Sequence, residues 1–110
     1  MQNLPITVKA VLLGSAKLLR DCGWTTCHMV APDGRMCMVG AIRTFVEKSG
    51  VTDPVIADNL VNDASDQVTR TIWTDPTGAA HPHVTAWNDR ACQSAEHAAS
   101  MLERAASEVP

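Results

Sequence analysis

The chain has 110 residues, of which 45% are hydrophobic and 19% charged, a balance typical of a globular domain and unlike that of a disordered chain. This length suits one domain with one core, so a single globular domain over 1–110 is expected. A formal net charge of −3, with only nine Lys and Arg in the whole chain, argues against nucleic acid as a partner, because phosphate binding needs a dense basic face.

The opening segment Met1-Gln2-Asn3-Leu4-Pro5 lacks the basic and apolar regions of a signal peptide, and no apolar run approaches the ~20 residues that cross a bilayer. No membrane partner and a cytoplasmic location are therefore expected, with Cys22, Cys27, Cys37 and Cys92 as reduced thiols. From residue 8 to 22, Val8, Val11, Leu12, Ala16 and Leu19 recur at helical spacing behind Thr7 as N-cap, and Gly23 stands where a left-handed residue ends the helix. Trp24, Thr25, Thr26 and Val30 favour extended structure, and Pro32-Asp33-Gly34 follows as a turn, so 24–36 reads as a short β-hairpin feeding the next helix.

Between Cys37 and Lys48, Met38, Ala41, Ile42 and Phe45 form one apolar stripe. Gly40 sits inside that helix at a cost of about 0.5–1 kcal/mol relative to Ala, which predicts close approach by another backbone or ring. Asp53-Pro54 opens a third helix that runs to about Thr71, and Ser94 caps a last helix over 95–107. Residues 72–90, with two prolines and a glycine, read as a long loop carrying Trp73, His81, His83 and Trp87. The expected fold is α+β and mostly helical: four helices packed on one short hairpin.

Gly23-Trp24 after the first helix, Asp33-Gly34, Cys37-x-x-Gly40-Ala41 and Trp87-Asn88-Asp89 occur in an order that resembles a small uncharacterised family of actinobacteria and their phages. The resemblance covers about residues 8–106 and implies a fold and a host range without an activity. In that family the last helix opens with a capping box; here His97 stands where the reciprocal carboxylate would be.

Several groups invite a chemical reading. Trp87, Asn88 and Asp89 fit a structural role, with Trp87 in the core beside Trp24 and Gly40 and the two Asx side chains bonding backbone N–H groups in the turn to the last helix. Cys37, at a helix amino terminus that lowers a thiol pKa, is the candidate nucleophile of a cysteine-dependent hydrolase or transferase, with His83 (or His81) as base and Asn88 or Asp89 to orient it. Its neighbours Met36 and Met38 suit a buried small hydrophobe instead. Cys22, Cys27 and His28, and His81-x-His83, do not follow zinc-site spacing, so no metal is expected. Without a phosphate-binding glycine loop, no cofactor is expected either. The preferred expectation is a non-enzymatic accessory protein that binds a protein partner through Trp73, His81 and His83.

Overall fold

In the computed structural model, which describes residues 6–110, the first helix α1 (Val8–Cys22) lies against the last, α5 (Ala95–Ser107), and against α2 (Met38–Lys48). The longest helix, α3 (Pro54–Trp73), packs on α2, α5 and α1, and a short α4 (Val84–Arg90) bridges α2 and α3. The segment Met1–Pro5, read above for a signal sequence, lies outside the described residues.

The helix starts follow the local chemistry. Thr7 Oγ1 accepts the Ala10 N–H, Asp53 Oδ1 accepts those of Val55 and Ile56, and Ser94 Oγ accepts that of His97, so each satisfies donors the helix cannot. His97 does not replace the capping-box carboxylate, which would take the Ser94 N–H; its Nδ1 instead accepts the N–H of Gln93, one residue before the cap, at 3.1 Å. Gly23 ends α1 at φ 94°, and its N–H returns to Leu19 O.

The inward faces form one continuous core. Leu12, Leu19, Met38, Ile42, Val68, Ile72, Trp87 and Leu102 are all fully buried in it. Ala98, Ala99, Ala105 and Ala106 on α5 are buried, and side chains this small permit close approach of the helices packed on α5, α1 and α3. Where α1 meets α2, a Cβ on Gly14 would fall 2.0 Å from the Phe45 ring.

The fold is all-α, which corrects the expected α+β architecture. Among the described residues there are five helices and no strand; the expected hairpin is reduced to isolated bridges, Trp24 with Met36 (parallel) and Val30 with Met36 (antiparallel). The physical reason lies at Cys27, whose φ of 66° turns the extended run out of line before it can form a ladder. Backbone pairing survives only near Met36, where Thr25 N–H reaches Met36 O and Met36 N–H reaches Gly23 O, both at 3.0 Å. The Pro32-Asp33-Gly34 turn is present, closed by Gly34 N–H on Ala31 O. The second correction is α4, which lies within the stretch read as loop.

On the surface, Arg20 of α1 clamps two α5 carboxylates, with Nε on Glu96 at 2.8 Å and Nη1 on Glu103 at 2.6 Å. The Arg20 guanidinium holds both carboxyls below their ordinary value of 4.5. A carboxyl depressed by folding stabilises the fold above its unfolded pKa and loses that contribution as pH falls through its folded value. The urea midpoint of Arg20→Met should therefore lie below that of the wild type at pH 7, and the gap should close as pH falls below about 4.5. A gap independent of pH would assign the effect to packing of the Arg20 stem.

Candidate functional site

Segment 24–37, which does not become a hairpin, wraps over the amino-terminal end of α2 and is tied there by α4. The tie is the Asn88 side chain, only 1% exposed. Its Oδ1 accepts the Met38 N–H at 3.0 Å and the Trp24 indole Nε1–H at 2.8 Å; its Nδ2 donates to Thr25 O at 3.2 Å and to Asp89 Oδ1 at 3.0 Å. Both hydrogens and both lone-pair directions of the amide are thus engaged. Met38 is the first residue of α2, so Asn88 satisfies one of the orphan donors of that helix from outside its own chain segment.

Asp89 extends the tie. Its Oδ1 accepts the Cys27 N–H at 3.1 Å and so anchors the one non-glycine residue with positive φ among the described residues. The next two residues bring Met29 O onto α2, where it accepts the Cys37 N–H at 3.2 Å. This contact explains Gly40. A Cβ there would stand 1.8 Å from Met29 O, a backbone atom that cannot swing aside. The sequence-based expectation of a close backbone approach at Gly40 is met.

Trp87 is fully buried, as expected, but its partners differ from those anticipated. Its Nε1–H donates to Thr77 Oγ1 at 2.6 Å, and its ring meets His97 edge to face with centroids 4.9 Å apart. Asn88 and Asp89 likewise bond α2 and segment 24–27 and not the turn to the last helix. The Trp-Asn-Asp run therefore faces two ways: Trp87 secures α4 against the 75–78 turn and α5, while the next two side chains hold the loop over α2.

Cys37 is the N-cap of α2, and its Sγ accepts the Gly40 N–H at 3.3 Å. It is 8% exposed. Burial pushes its thiol pKa up, aided by the negative charge of Asp89, and outweighs the amide donors of Gly40 and Val39 that pull it down. The lowering expected from the helix end is thus overridden. Among the described residues no hydrogen bond joins Cys37 to an imidazole, and Asn88 has no free atom with which to orient one. His83 is the exposed N-cap of α4 and makes no side-chain capping bond, while His81 is half-buried in the preceding loop. Among the described residues Cys37 caps α2 and Asn88 joins it to segment 24–25, while no hydrogen bond links either side chain to His83.

A cavity of about 250 Å³ opens where segment 27–29 lies over α2 and α4. Its apolar lining comes from Met29, Val39 and the Cys37 side chain; Cys27, His28, Thr85 and Asp89 supply the polar groups. Sequence reading missed Met29, Val39 and Thr85 as neighbours, because nothing local marks Cys27 as left-handed and Thr85 lies on the unrecognised α4. Among the described residues, no group of three or more His, Cys, Asp or Glu is placed to hold a metal ion. All four cysteines are free; Cys22 and Cys27 are exposed, and Cys37 and Cys92 buried.

Trp73 is placed quite differently. It ends α3 with 62% of its surface exposed, and its Nε1–H donates to Pro82 O at 3.0 Å. The profile of a family described as "Family of unknown function (DUF6197)" matches residues 3–108. The chain belongs to that family. No curated protein and no solved structure matches it. Because the DUF6197 match spans nearly the whole chain, the Trp87–Asp89 hub and the Trp73 surface both lie within the family domain.

Two substitutions test the hub. Asn88→Ala leaves the Met38 N–H, the Trp24 indole and Thr25 O without partners and should lower unfolding free energy by roughly 2–4 kcal/mol in urea titration; a loss below about 0.5 kcal/mol would show the amide is dispensable. Gly40→Ala should cost roughly 2–3 kcal/mol in the same measurement, since a backbone carbonyl must shift. A neutral or stabilising Gly40→Ala would show that Met29 does not press on α2.

Proposed function

We infer that the chain is a non-enzymatic accessory protein that binds a protein partner in the cytosol of an actinobacterium, as a phage-encoded modulator of its host. The observation that supports this most is Trp73. A large aromatic left 62% exposed is a poor choice for solubility alone, and the Pro82 O bond holds its ring in one place. Indole side chains supply much contact area at low entropic cost, which is why they recur as interface anchors.

The surroundings fit a fixed anchor. Directly after Trp73, Arg104 binds Asp75 at 2.9 Å and Thr74 Oγ1 at 2.6 Å, which pins the end of α3 to α5. Asn88 and the Cys37 thiol are engaged in structural hydrogen bonds, whereas Trp73, His81 and His83, at the ends of the 74–83 stretch, remain on or near the surface. The host range rests on the resemblance of Gly23-Trp24, Cys37-x-x-Gly40-Ala41 and Trp87-Asn88-Asp89 to proteins of actinobacteria and their phages.

Affinity capture from an actinobacterial lysate, comparing wild type with Trp73→Ala, tests the reading. The expected result is one protein retained in near-stoichiometric amount by wild type, with affinity lowered by about 2 kcal/mol, roughly 30-fold, in Trp73→Ala. The variant should keep the wild-type circular dichroism and melting temperature. Equal retention by both forms, or no retention by either, would contradict the proposal.

A further inference from the structure

Asp89 combines two facts that its structural role does not require together. Its Oδ1 is anchored by the Cys27 N–H and by Asn88 Nδ2, while its Oδ2 has no hydrogen-bond partner among the described residues. No cation pairs with it either: the ion pairs among the described residues join Lys17, Arg20, Arg35, Arg43 and Arg104 to other acids. The carboxylate is thus held in place with one oxygen uncommitted, on the wall of the 250 Å³ cavity. Met29, Val39 and Cys37 give the same cavity an apolar lining with one adaptable thioether, and Cys27, His28 and Thr85 complete it.

We propose that this cavity is a binding site for a small organic ammonium ion, its charged group at Asp89 Oδ2 and its hydrocarbon body against Met29 and Val39. Size selects a small ligand, because the volume falls below the roughly 300–1,000 Å³ of drug-sized sites. Charge selects its sign. An anchored carboxylate beside an apolar wall attracts a cation and repels an acid, and it gains more from an ammonium than from a neutral hydroxyl of the same shape. The site is separate from Trp73, so its occupancy does not depend on the protein partner inferred above.

The test titrates ¹⁵N-labelled full-length protein with n-butylammonium chloride, with isosteric 1-butanol and with sodium butyrate at matched ionic strength. Butylammonium should shift the amides of Cys27, Met29, Val39 and Asp89 in a saturable way, with a dissociation constant in the millimolar range or tighter. Butanol should bind at least about tenfold more weakly, and butyrate should not bind. Asp89→Asn keeps an acceptor for the Cys27 N–H while removing the charge, and should abolish the preference for butylammonium over butanol. Val39→Phe enlarges a lining side chain, leaves the Asp89 carboxylate in place, and should abolish binding of both. Equal affinity for butylammonium and butanol in the wild type, shifts scattered over the surface, or butylammonium binding unchanged in Val39→Phe would each overturn the proposal.

Discussion

One buried carboxamide holds together the part of this molecule that is not helix packing. Asn88 is almost wholly withdrawn from water, so every bond it failed to make would cost free energy, about 1–3 kcal/mol for each stranded group. It makes all four. Those bonds join three stretches distant in sequence: α4 itself, the 24–25 strand-like run, and the first turn of α2. Without them the Trp24–Met36 segment would keep two isolated bridges, a turn, the Cys27–Asp89 bond and the Met29–Cys37 bond, and would lose its tie to the first residue of α2 through Asn88.

Asn88 reaches this position because Trp87 fixes α4. A seven-residue helix has little stability of its own, and its N-cap His83 contributes no side-chain bond. Burial of the indole, the bond from its Nε1–H to Thr77, and the edge-to-face contact with His97 supply what propensity does not. Thr77 in turn bonds Asp75, and Asp75 binds Arg104 of α5. A continuous set of contacts therefore runs from α5 through the 75–78 turn and α4 to the cap of α2. Asn88 and the Cys37 cap stand at the α2 end of that set, while the Trp73 indole at the end of α3 stays 62% exposed.

Much of this was legible in the residues. Thr7, Asp53-Pro54 and Ser94 announce three helix starts because capping is local chemistry, and Gly40 announces a close approach because nothing in its own helix calls for glycine. The hairpin misreading has an equally local origin. Trp24, Thr25 and Thr26 carry real β-propensity, but the Thr25 backbone groups are claimed by Asn88 and Met36, and Cys27 turns left-handed with its N–H donated to Asp89, sixty-two residues away. Helix α4 was obscured by its shortness and its flanking prolines, although Val84, Trp87 and Asn88 do stand at i, i+3 and i+4 on one buried face. For Cys37 the sequence shows only one of two opposing effects: the helix end lowers a thiol pKa, burial raises it, and the fold makes burial the larger.

The central claim is that the Asn88 tie belongs to the cooperative core and is not a surface decoration. Native-state hydrogen exchange of the wild-type protein tests this most directly, by comparing the Trp24 indole N–H and Met38 amide with the amides of Leu12 and Leu19 in α1 and with the exposed Trp73 indole. The account predicts that Trp24 and Met38 exchange only on global unfolding, with the same protection as α1, while the Trp73 indole exchanges far faster. Exchange of the Trp24 indole and the Met38 amide at the rate of Trp73, with α1 still fully protected, would contradict it.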